Sequence, residues 1–434
     1  MKYAIVTFGC RVNQADSTDL ERQLLARGAH RSAPEEADLV VVNTCSVTAT
    51  ADQGARQMIR RIARKNPEVR VVATGCYATR AADDLSDLPG VTAIVPNPDK
   101  PDLVSRVLAD LASDPTTAER FAGGEGACGD RLDPYSFGRT TATLRVQTGC
   151  DQKCAYCIIP STRGGGRSKV LADVLAEATR LDAEGFKEAA LTGVHIGSYG
   201  RDLDPSTSLH ALLCALDGHP SSLMFRLSSL EPMDCTAAIV DLVTQSGRFA
   251  PHFHLPLQSA SDRVLRGMRR PYTLDDYDRL VSRIRQQLPD AGIGSDFVVG
   301  FPGEGPEDVE TNLAYLAESP LTYLHVFPYS DRPGTEASGM SDKVPVEEIR
   351  ARARMVRELG AELTTRFRST QVGSVRPALT IDEGRVALTD NYLKIRLHRT
   401  ESDAIHGTQP DNQRVRVRIT GAGTPTVPMT GTLV

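Results

Sequence analysis

The first ~115 residues alternate between short apolar runs and helical stretches, and this alternation limits the fold more than any other feature of the chain. "YAIVTFG", "ADLVVVNT", "VRVVATG" and "VTAIVPN" read as strands, with "STDLERQLLARG", "ADQGARQMIRRIARKN" and "DLVSRVLADLAS" as the helices that accompany them. Strands so apolar are covered on both faces, which predicts a parallel α/β sheet. Cys10, Cys45 and Cys76 stand at the ends of the first three of these strands. In a parallel sheet all strand C-termini share one edge, and ligands bind there. Three thiols brought to that edge can converge on one object, a zinc ion or an iron–sulfur cluster, which would lack a fourth protein ligand. The alternative is three unrelated core thiols, since free cysteine is often buried; the repeated placement argues against it.

Residues 116–140, "TTAERFAGGEGACGDRLDPYSFGRT", are Gly-rich and irregular and read as a linker. From 141 a second α/β run begins, with strands in "TATLRVQT", "EAALTGV", "MFRLSSL", "HFHLPLQ", "GIGSDFVVG" and "TYLHVFPYS". About six strand–helix units predict a partial β/α barrel of the TIM type. A long helix over 346–369 follows, with Ile349, Val356, Leu359, Leu363 and Phe367 on one face and Arg350, Arg354, Arg357 and Arg368 on another. The arginine face is either simply solvated or an RNA-contacting stripe. The last ~64 residues change to short alternating strands, "VRPALTI", "GRVALTD", "YLKIRLHR" and "QRVRVRITGAG", which predict a small β-barrel. From 371 onward there are eight Lys and Arg against six Asp and Glu, so this part is mildly basic in an acidic protein. The expected division is 1–115, 116–140, 141–370 and 371–434.

Composition narrows the setting. The net charge is −5 over 434 residues, so any nucleic-acid contact must come from local patches rather than the global field. No apolar run approaches the ~18 residues of a membrane helix. The start, "MKYAIVTFGC", turns polar too soon for a secretory signal, and a cytoplasmic location is the default. Nine cysteines, an odd number in such a chain, argue against a disulfide framework and for metal or catalysis. Cys128, Cys214 and Cys235 are isolated in sequence and read as spectators.

"GCDQKCAYC" (149–157) carries Cys150, Cys154 and Cys157 in a C-x3-C-x2-C spacing, on the loop after the first barrel strand. That loop lies at the barrel's C-terminal mouth, where such folds do chemistry. Closed structural zinc sites need a fourth Cys or His. Three cysteines on one compact loop can instead hold three corners of a 4Fe–4S cube and leave one iron open. With Tyr156 before the last cysteine, this stretch resembles the radical S-adenosylmethionine (SAM) superfamily. The resemblance implies that SAM chelates the open iron and is cleaved to a 5′-deoxyadenosyl radical, with the protein fixing geometry and excluding water.

"TFGCRVNQADS", "VVNTCSVT" and "GCYATR" ahead of this loop, and a small β-barrel behind it, resemble the methylthiotransferase family over nearly the whole chain. This implies a second 4Fe–4S cluster on Cys10, Cys45 and Cys76 beside the one on Cys150, Cys154 and Cys157, and two SAM per turnover. Cys10 and Cys150 then count as catalytic. One SAM methylates a cluster-borne sulfur and the other yields the radical that opens an unactivated C–H. Tyr156, Gly193 in "LTGVHIGSYG", Ser229 and Glu231 in "LSSLEP", Gln258 in "LPLQSAS" and Phe301 in "GFPGE" become candidate SAM contacts. The residue after that Glu is Gly305, where the family often has Thr. His195 in the mouth loop either touches substrate or SAM or is structural. Arg163, Arg167 and Lys169 in "STRGGGRSK" read as a phosphate-contacting loop or as a solvated one. The C-terminal barrel resembles the family's TRAM module, an RNA holder. The implied partners are tRNA at its anticodon loop, an electron donor such as flavodoxin or ferredoxin, and a sulfur donor.

Around the clusters, "GCRVNQ", "NTCSVT", "CAYCIIPSTRGGGRS" and "HVFPYSDRPGT" look most like the subgroup acting on threonylcarbamoyladenosine in tRNA. The subgroup acting on isopentenyladenosine tends to have Gln-Met after the first cysteine, and that acting on a ribosomal-protein aspartate tends to have Pro-Lys; here Arg11-Val12 stands there. Those two substrates remain the alternatives within the family. A non-catalytic, metal-stabilised RNA-binding protein is the alternative of another class, and two open cysteine trios argue against it.

Overall fold

The structure, a computed structural model, describes residues 1–112, 140–398, 410–424 and 426–434. The linker read at 116–140, apart from its last residue, and Cys128 lie outside the described residues. The N-terminal unit is a five-stranded parallel sheet in the order β2-β1-β3-β4-β5, made of β1 Lys2–Thr7, β2 His30–Arg31, β3 Leu39–Thr44, β4 Arg70–Gly75 and β5 Val91–Val95. Val40 and Val42 face one apolar layer and Leu39 and Val41 the other, as a doubly covered sheet requires. Helix α1, Arg11–Leu25, begins directly after Cys10, earlier than the apolar pattern suggests. Its first turns are polar but buried: Asn13 donates to the Phe8 and Thr44 carbonyls at 2.8 and 2.9 Å. Helix α2, Ala49–Lys65, and the short α3, Cys76–Arg80, follow β3 and β4.

The central unit starts with β6 Thr141–Arg145 and a small hairpin, β7 Gln147–Thr148 with β8 Arg167–Ser168. Strands β9 Glu188–Thr192 and β10 Met224–Leu227 pair parallel with β6 in the order β10-β9-β6. Strands β11 His252–His254, β12 Gly292–Val299 and β13 Tyr323–Pro328 form the second parallel group. Bridges Phe225–Phe249 and Ser229–His254 join the two groups into one six-stranded open half-barrel in chain order. The helix Val346–Thr370 lies along β13 with Ile349, Val356, Leu363 and Phe367 buried, while Arg350, Arg354 and Arg357 are exposed. Each buried aliphatic side chain contributes about 1.5–3 kcal/mol of transfer free energy. Arg368 instead donates to the Thr424 carbonyl at 2.8 Å and anchors the next unit.

That unit is a closed barrel, β14-β15-β16-β18-β17, from β14 Val375–Ile381, β15 Val386–Thr389, β16 Lys394–Leu397, β17 Arg414–Gly421 and β18 Met429–Leu433. It docks on the N-terminal ends of the central strands. Asn412 donates to the Gly185 carbonyl at 2.8 Å, and Arg226 of β10, bidentate to Glu188 at 2.9 and 2.8 Å, also donates to the Asp390 carbonyl at 2.8 Å. The opposite, C-terminal ends of the central strands are left for the cysteine loops.

Candidate cluster and substrate site

The first cysteine trio is set by backbone conformation. Gly9 has φ +86°, and a Cβ there would lie 2.5 Å from both Cβ and Sγ of Cys45. Gly75 has φ +97°, and a Cβ there would lie 2.2 Å from the Thr44 carbonyl oxygen. Only glycine lets β1 and β4 end so close to β3, and the residues that follow are Cys10 and Cys76. Cys10 is exposed, whereas Cys45 and Cys76 are buried. Burial pushes the Cys45 thiol up to about 11, and the neighbouring Cys10 and Cys76 add to the shift. Asn97 approaches Cys76 Sγ at 3.6 Å and donates to the Thr162 carbonyl at 2.9 Å, tying this trio to the helix after the second one.

The second trio lies on the loop between β7 and the helix Ile159–Arg163. The loop is braced from outside: Ala155 N–H donates to the Met268 carbonyl at 3.1 Å, and Ala337 N–H donates to the Ala155 carbonyl at 2.8 Å. Burial pushes Cys157 up to about 12, with Cys154 and Cys150 adding to it, and burial also raises Cys154 against the pull of Arg270. Arg270 donates to Cys154 Sγ at 3.3 Å and to Tyr272 Oη at 3.0 Å, and it pairs with Glu231. His195 is buried, with Nδ1 3.9 Å from Cys150 Sγ and Nε2 2.6 Å from Asp234 Oδ2. Burial works against its charge, but Asp234 and the Cys150 sulfur outweigh it and raise its pKa to about 9.

The donor chemistry of both trios fits an iron–sulfur group. Among the described residues one set of three possible ligand atoms lies mutually within 4.8 Å, and it is His254, Asp296 and His325. Neither cysteine trio is drawn that close. A single zinc ion, with Zn–S bonds of ~2.3 Å, would bring its sulfurs to about 3.8 Å. Thiols whose burial opposes ionisation become thiolates when a metal group supplies positive charge.

Two adjoining cavities lie between the trios. The larger, about 580 Å³, is lined by Cys10 and Cys45 from the first trio and by Gly193, Ser229 and Asp296 from the half-barrel. The smaller, about 180 Å³, is lined by Tyr156, Cys157 and Gln258. Val47, Thr48, Asp296 and Phe327 line both. Phe301 is buried, its ring edge-on to Tyr156 and Tyr329 at 6.5 and 5.9 Å. Gly193 is packed so that a Cβ would meet Ile196 Cγ2 at 2.7 Å. Gln258 has φ +69°, unusual for a residue with a side chain. Of the candidate SAM contacts, Glu231 is paired with Arg270.

The basic loop after the cysteines turns out differently from the phosphate-contact reading at Arg163. Its side chain is 4% exposed and pairs with Asp16 Oδ2 at 3.0 Å. Asp16 also takes Lys100 Nζ at 2.9 Å and Arg145, so one carboxylate of α1 holds the first central strand and the cluster-loop helix. Burial opposes its charge, but Lys100, Arg163 and Arg145 hold it well below the usual carboxylate range. Arg332 pairs with Asp52 at 2.7 Å on the other side of the interface.

Sequence reading missed Arg270, Asp16 and the polar wall of the larger cavity. In that wall His254 Nε2 and His325 Nδ1 contact Asp296 Oδ1 at 2.9 and 3.2 Å, and His252 Nε2 contacts Tyr323 Oη at 2.8 Å. The alternation in "HFH" (β11) and "YLH" (β13) puts these side chains on one face on either side of β12, which carries Asp296, a signal the sequence did carry.

Fold, loop and cavities define a radical SAM enzyme, and comparison with known proteins agrees. The Radical SAM superfamily model matches residues 144–316, and the model described as uncharacterized protein family UPF0004 matches residues 2–96. A solved radical SAM methyltransferase, TsrM from Kitasatospora setae, shares the fold with a TM-score of 0.54 at 16% identity, over 75% of this chain and 72% of that one. The threonylcarbamoyladenosine tRNA methylthiotransferase MtaB of Aquifex aeolicus is 36% identical, covering 91% of this chain and 96% of its own length. That of Bacillus subtilis is 33% identical over 97% and 94%, and the ribosomal protein uS12 methylthiotransferase RimO of Acidothermus cellulolyticus is 32% identical over 90% and 87%. The chain belongs to the radical SAM methylthiotransferase family. Membership brings SAM and an iron–sulfur cluster with it. Among the described residues no helix is long and apolar enough to cross a membrane.

Proposed function

We propose that this protein is a tRNA methylthiotransferase that places a methylthio group on carbon 2 of N6-threonylcarbamoyladenosine, 3′ of the anticodon, with two 4Fe–4S clusters. Cys150, Cys154 and Cys157 would hold the cluster that binds SAM, and Cys10, Cys45 and Cys76 the one that donates sulfur. When bound, these groups supply the radical that takes hydrogen from an unactivated C–H and the sulfur that replaces it. The observation that carries the reading is that both trios border one pair of cavities with shared walls. A nucleoside in the larger cavity would have Cys10 and Cys45 on one side and the half-barrel mouth on the other. Tyr156, Gln258 and Phe301 would shape the SAM end, and Gly193 and Ser229 the passage to substrate. His195 and Arg270 hold the sulfurs of Cys150 and Cys154 in place.

The substrate reading rests on the relatives' names together with Arg11-Val12 and the other subgroup words in the sequence. The units follow as a cluster domain (1–115), a linker (116–140), a radical SAM core (141–370) and a TRAM-like RNA-binding barrel (371–434), working in the cytoplasm with a flavodoxin- or ferredoxin-like electron donor and a separate sulfur donor.

The test is nucleoside mass spectrometry after incubating the anaerobically reconstituted protein with SAM, reductant and tRNA lacking methylthio groups. A methylthio adduct on threonylcarbamoyladenosine, lost in Cys10→Ala and in Cys150→Ala, is the expected result. An adduct on isopentenyladenosine instead overturns the substrate, and no adduct with continued SAM cleavage overturns the methylthiolation.

A further inference from the structure

The larger cavity contains one cation with no carboxylate partner. Arg11 lines it and forms no ion pair among the described residues; its Nη2 donates to Tyr392 Oη at 3.2 Å. The other charges of the wall are engaged. Asp296 is contacted by His254 and His325, and Arg226 behind the wall is bidentate to Glu188.

Tyr392 comes from the turn between β15 and β16, so the C-terminal barrel reaches into the cavity to meet a residue of the N-terminal domain. It is clamped there: the Arg226 guanidinium lies 5.1 Å from its ring centroid and the His252 ring 4.6 Å. Its φ is +74°, a conformation that costs free energy for a residue with a side chain and persists where surroundings enforce it. His252, buried in the same wall, has an Nδ1 with no hydrogen-bond partner. A guanidinium that lines the cavity without a carboxylate partner, in a wall that also holds Tyr323 and His325, describes a pocket for a polar, anionic group.

Resting on the substrate reading above, we propose that Arg11, positioned by Tyr392, recognises the free carboxylate of the threonylcarbamoyl group, so that this pair determines which N6-substituent the cavity accepts. A guanidinium pairs with a carboxylate through parallel N–H donors and keeps its charge at any physiological pH. A hydrocarbon substituent in the same place would strip water from Arg11 and return nothing, which excludes it. The hydroxyl and carbamoyl groups of the same substituent give Tyr323 and His325 in the wall polar partners of a kind a hydrocarbon lacks.

The experiment compares two anticodon stem-loops, one with threonylcarbamoyladenosine and one with its primary carboxamide, a near-isosteric group without the negative charge. Methylthio product is measured for the wild type, Arg11→Gln, Arg11→Lys and Tyr392→Phe, each with iron content determined. The wild type should prefer the acid roughly 10- to 100-fold in kcat/KM, the range for one charged hydrogen-bonded contact. Arg11→Gln should abolish the preference by losing rate on the acid alone, and Arg11→Lys should restore part of it. Tyr392→Phe, remote from the cysteines, should weaken the preference with full iron content, which covers the case in which changes at Arg11 disturb the cluster. A wild type that modifies the acid while every variant keeps its preference overturns this proposal and leaves the substrate reading standing. A wild type that modifies neither stem-loop overturns the substrate reading itself.

Discussion

Asp16 offers the sharpest test of how the two cysteine trios are kept in register. Its side chain is 1% exposed and accepts Lys100 at 2.9 Å, Arg163 at 3.0 Å and Arg145. Asp16→Asn keeps the shape and removes the charge, leaving Lys100 and Arg163, 8% and 4% exposed, facing a neutral amide. Lys100 can shed its proton, and burial already lowers its pKa; Arg163 cannot. Removing one partner of a buried ion pair costs ~3–5 kcal/mol. At about 2 °C per kcal/mol for a chain of this size, the melting temperature of the reconstituted protein should fall by roughly 6–10 °C. Thermal melting followed by circular dichroism reads this directly. The pH dependence has a definite sign. The folded pKa of Asp16 is depressed, so its contribution is complete above the unfolded value of ~4 and is lost only as pH falls through the lower folded one. The Asp16 contribution is therefore constant from pH 8 to 5, and a Lys100 that sheds its proton in the variant can only widen the gap toward pH 5. A drop under about 2 °C, or a gap that closes on going from pH 7 to 5, would refute the assignment of this carboxylate as the anchor. Because the anchor holds the cluster-loop helix against α1, the variant should also form less methylthio product per 5′-deoxyadenosine released.

Three further outcomes follow from the same reasoning. Gly75→Ala places a Cβ 2.2 Å from the Thr44 carbonyl in a left-handed conformation, so Cys76 should be displaced and anaerobic reconstitution should recover about half the iron of the wild type. Phe301→Ala removes a buried ring against Tyr156 and Tyr329, which should cost ~3–5 kcal/mol and raise the KM for SAM more than it lowers kcat, as steady-state kinetics would show. Arg226→Met strands the buried Glu188 at a cost of ~3–5 kcal/mol, whereas Arg226→Met with Glu188→Leu should recover most of it in urea unfolding; equal losses in the single and double variants would contradict the pairing.

The alternation of apolar runs with helices carried the N-terminal sheet, the half-barrel and the placement of Cys10, Cys45 and Cys76 at one edge, because buried parallel strands leave a strong local signature. Three features escaped for physical reasons. The start of α1 is written in Asn13, Asp16 and Ser17, polar residues that look like a loop but are buried against the strand ends of their own sheet and, at Asn13 and Asp16, against Arg163 of the central unit. Strand β2 is two residues long, and β18, "MTGTL", mixes small and polar residues that pack only inside a closed barrel. The site divides in the same way. The cysteine spacing is local and was legible, whereas Arg270 meets Cys154 across 116 positions and Arg11 meets Tyr392 across 381. No periodicity spans such distances. The buried state of Arg163 illustrates the cost of reading charge locally: a Gly-rich basic loop read as phosphate-contacting or solvated, and its first arginine is the partner of Asp16.

This division bears on how the three units depend on one another. The N-terminal sheet brings Cys10, Cys45 and Arg11 to the larger cavity, the half-barrel brings its floor and the second trio, and the C-terminal barrel brings Tyr392. Asp16 and Asp52, both buried, tie the N-terminal unit to the half-barrel through ion pairs, and Arg226, fixed by Glu188, donates to the Asp390 carbonyl of the C-terminal barrel. Such contacts contribute little net stability when intact but are costly to break singly, so they specify one relative arrangement. A C–H opened by a radical must meet its sulfur within one closed space, and a misplacement of about 1 Å between domains can cost on the order of 100-fold in rate. The C-terminal barrel supplies Tyr392 to the wall of the larger cavity, and truncating it should abolish product formation even on a short stem-loop that needs little holding.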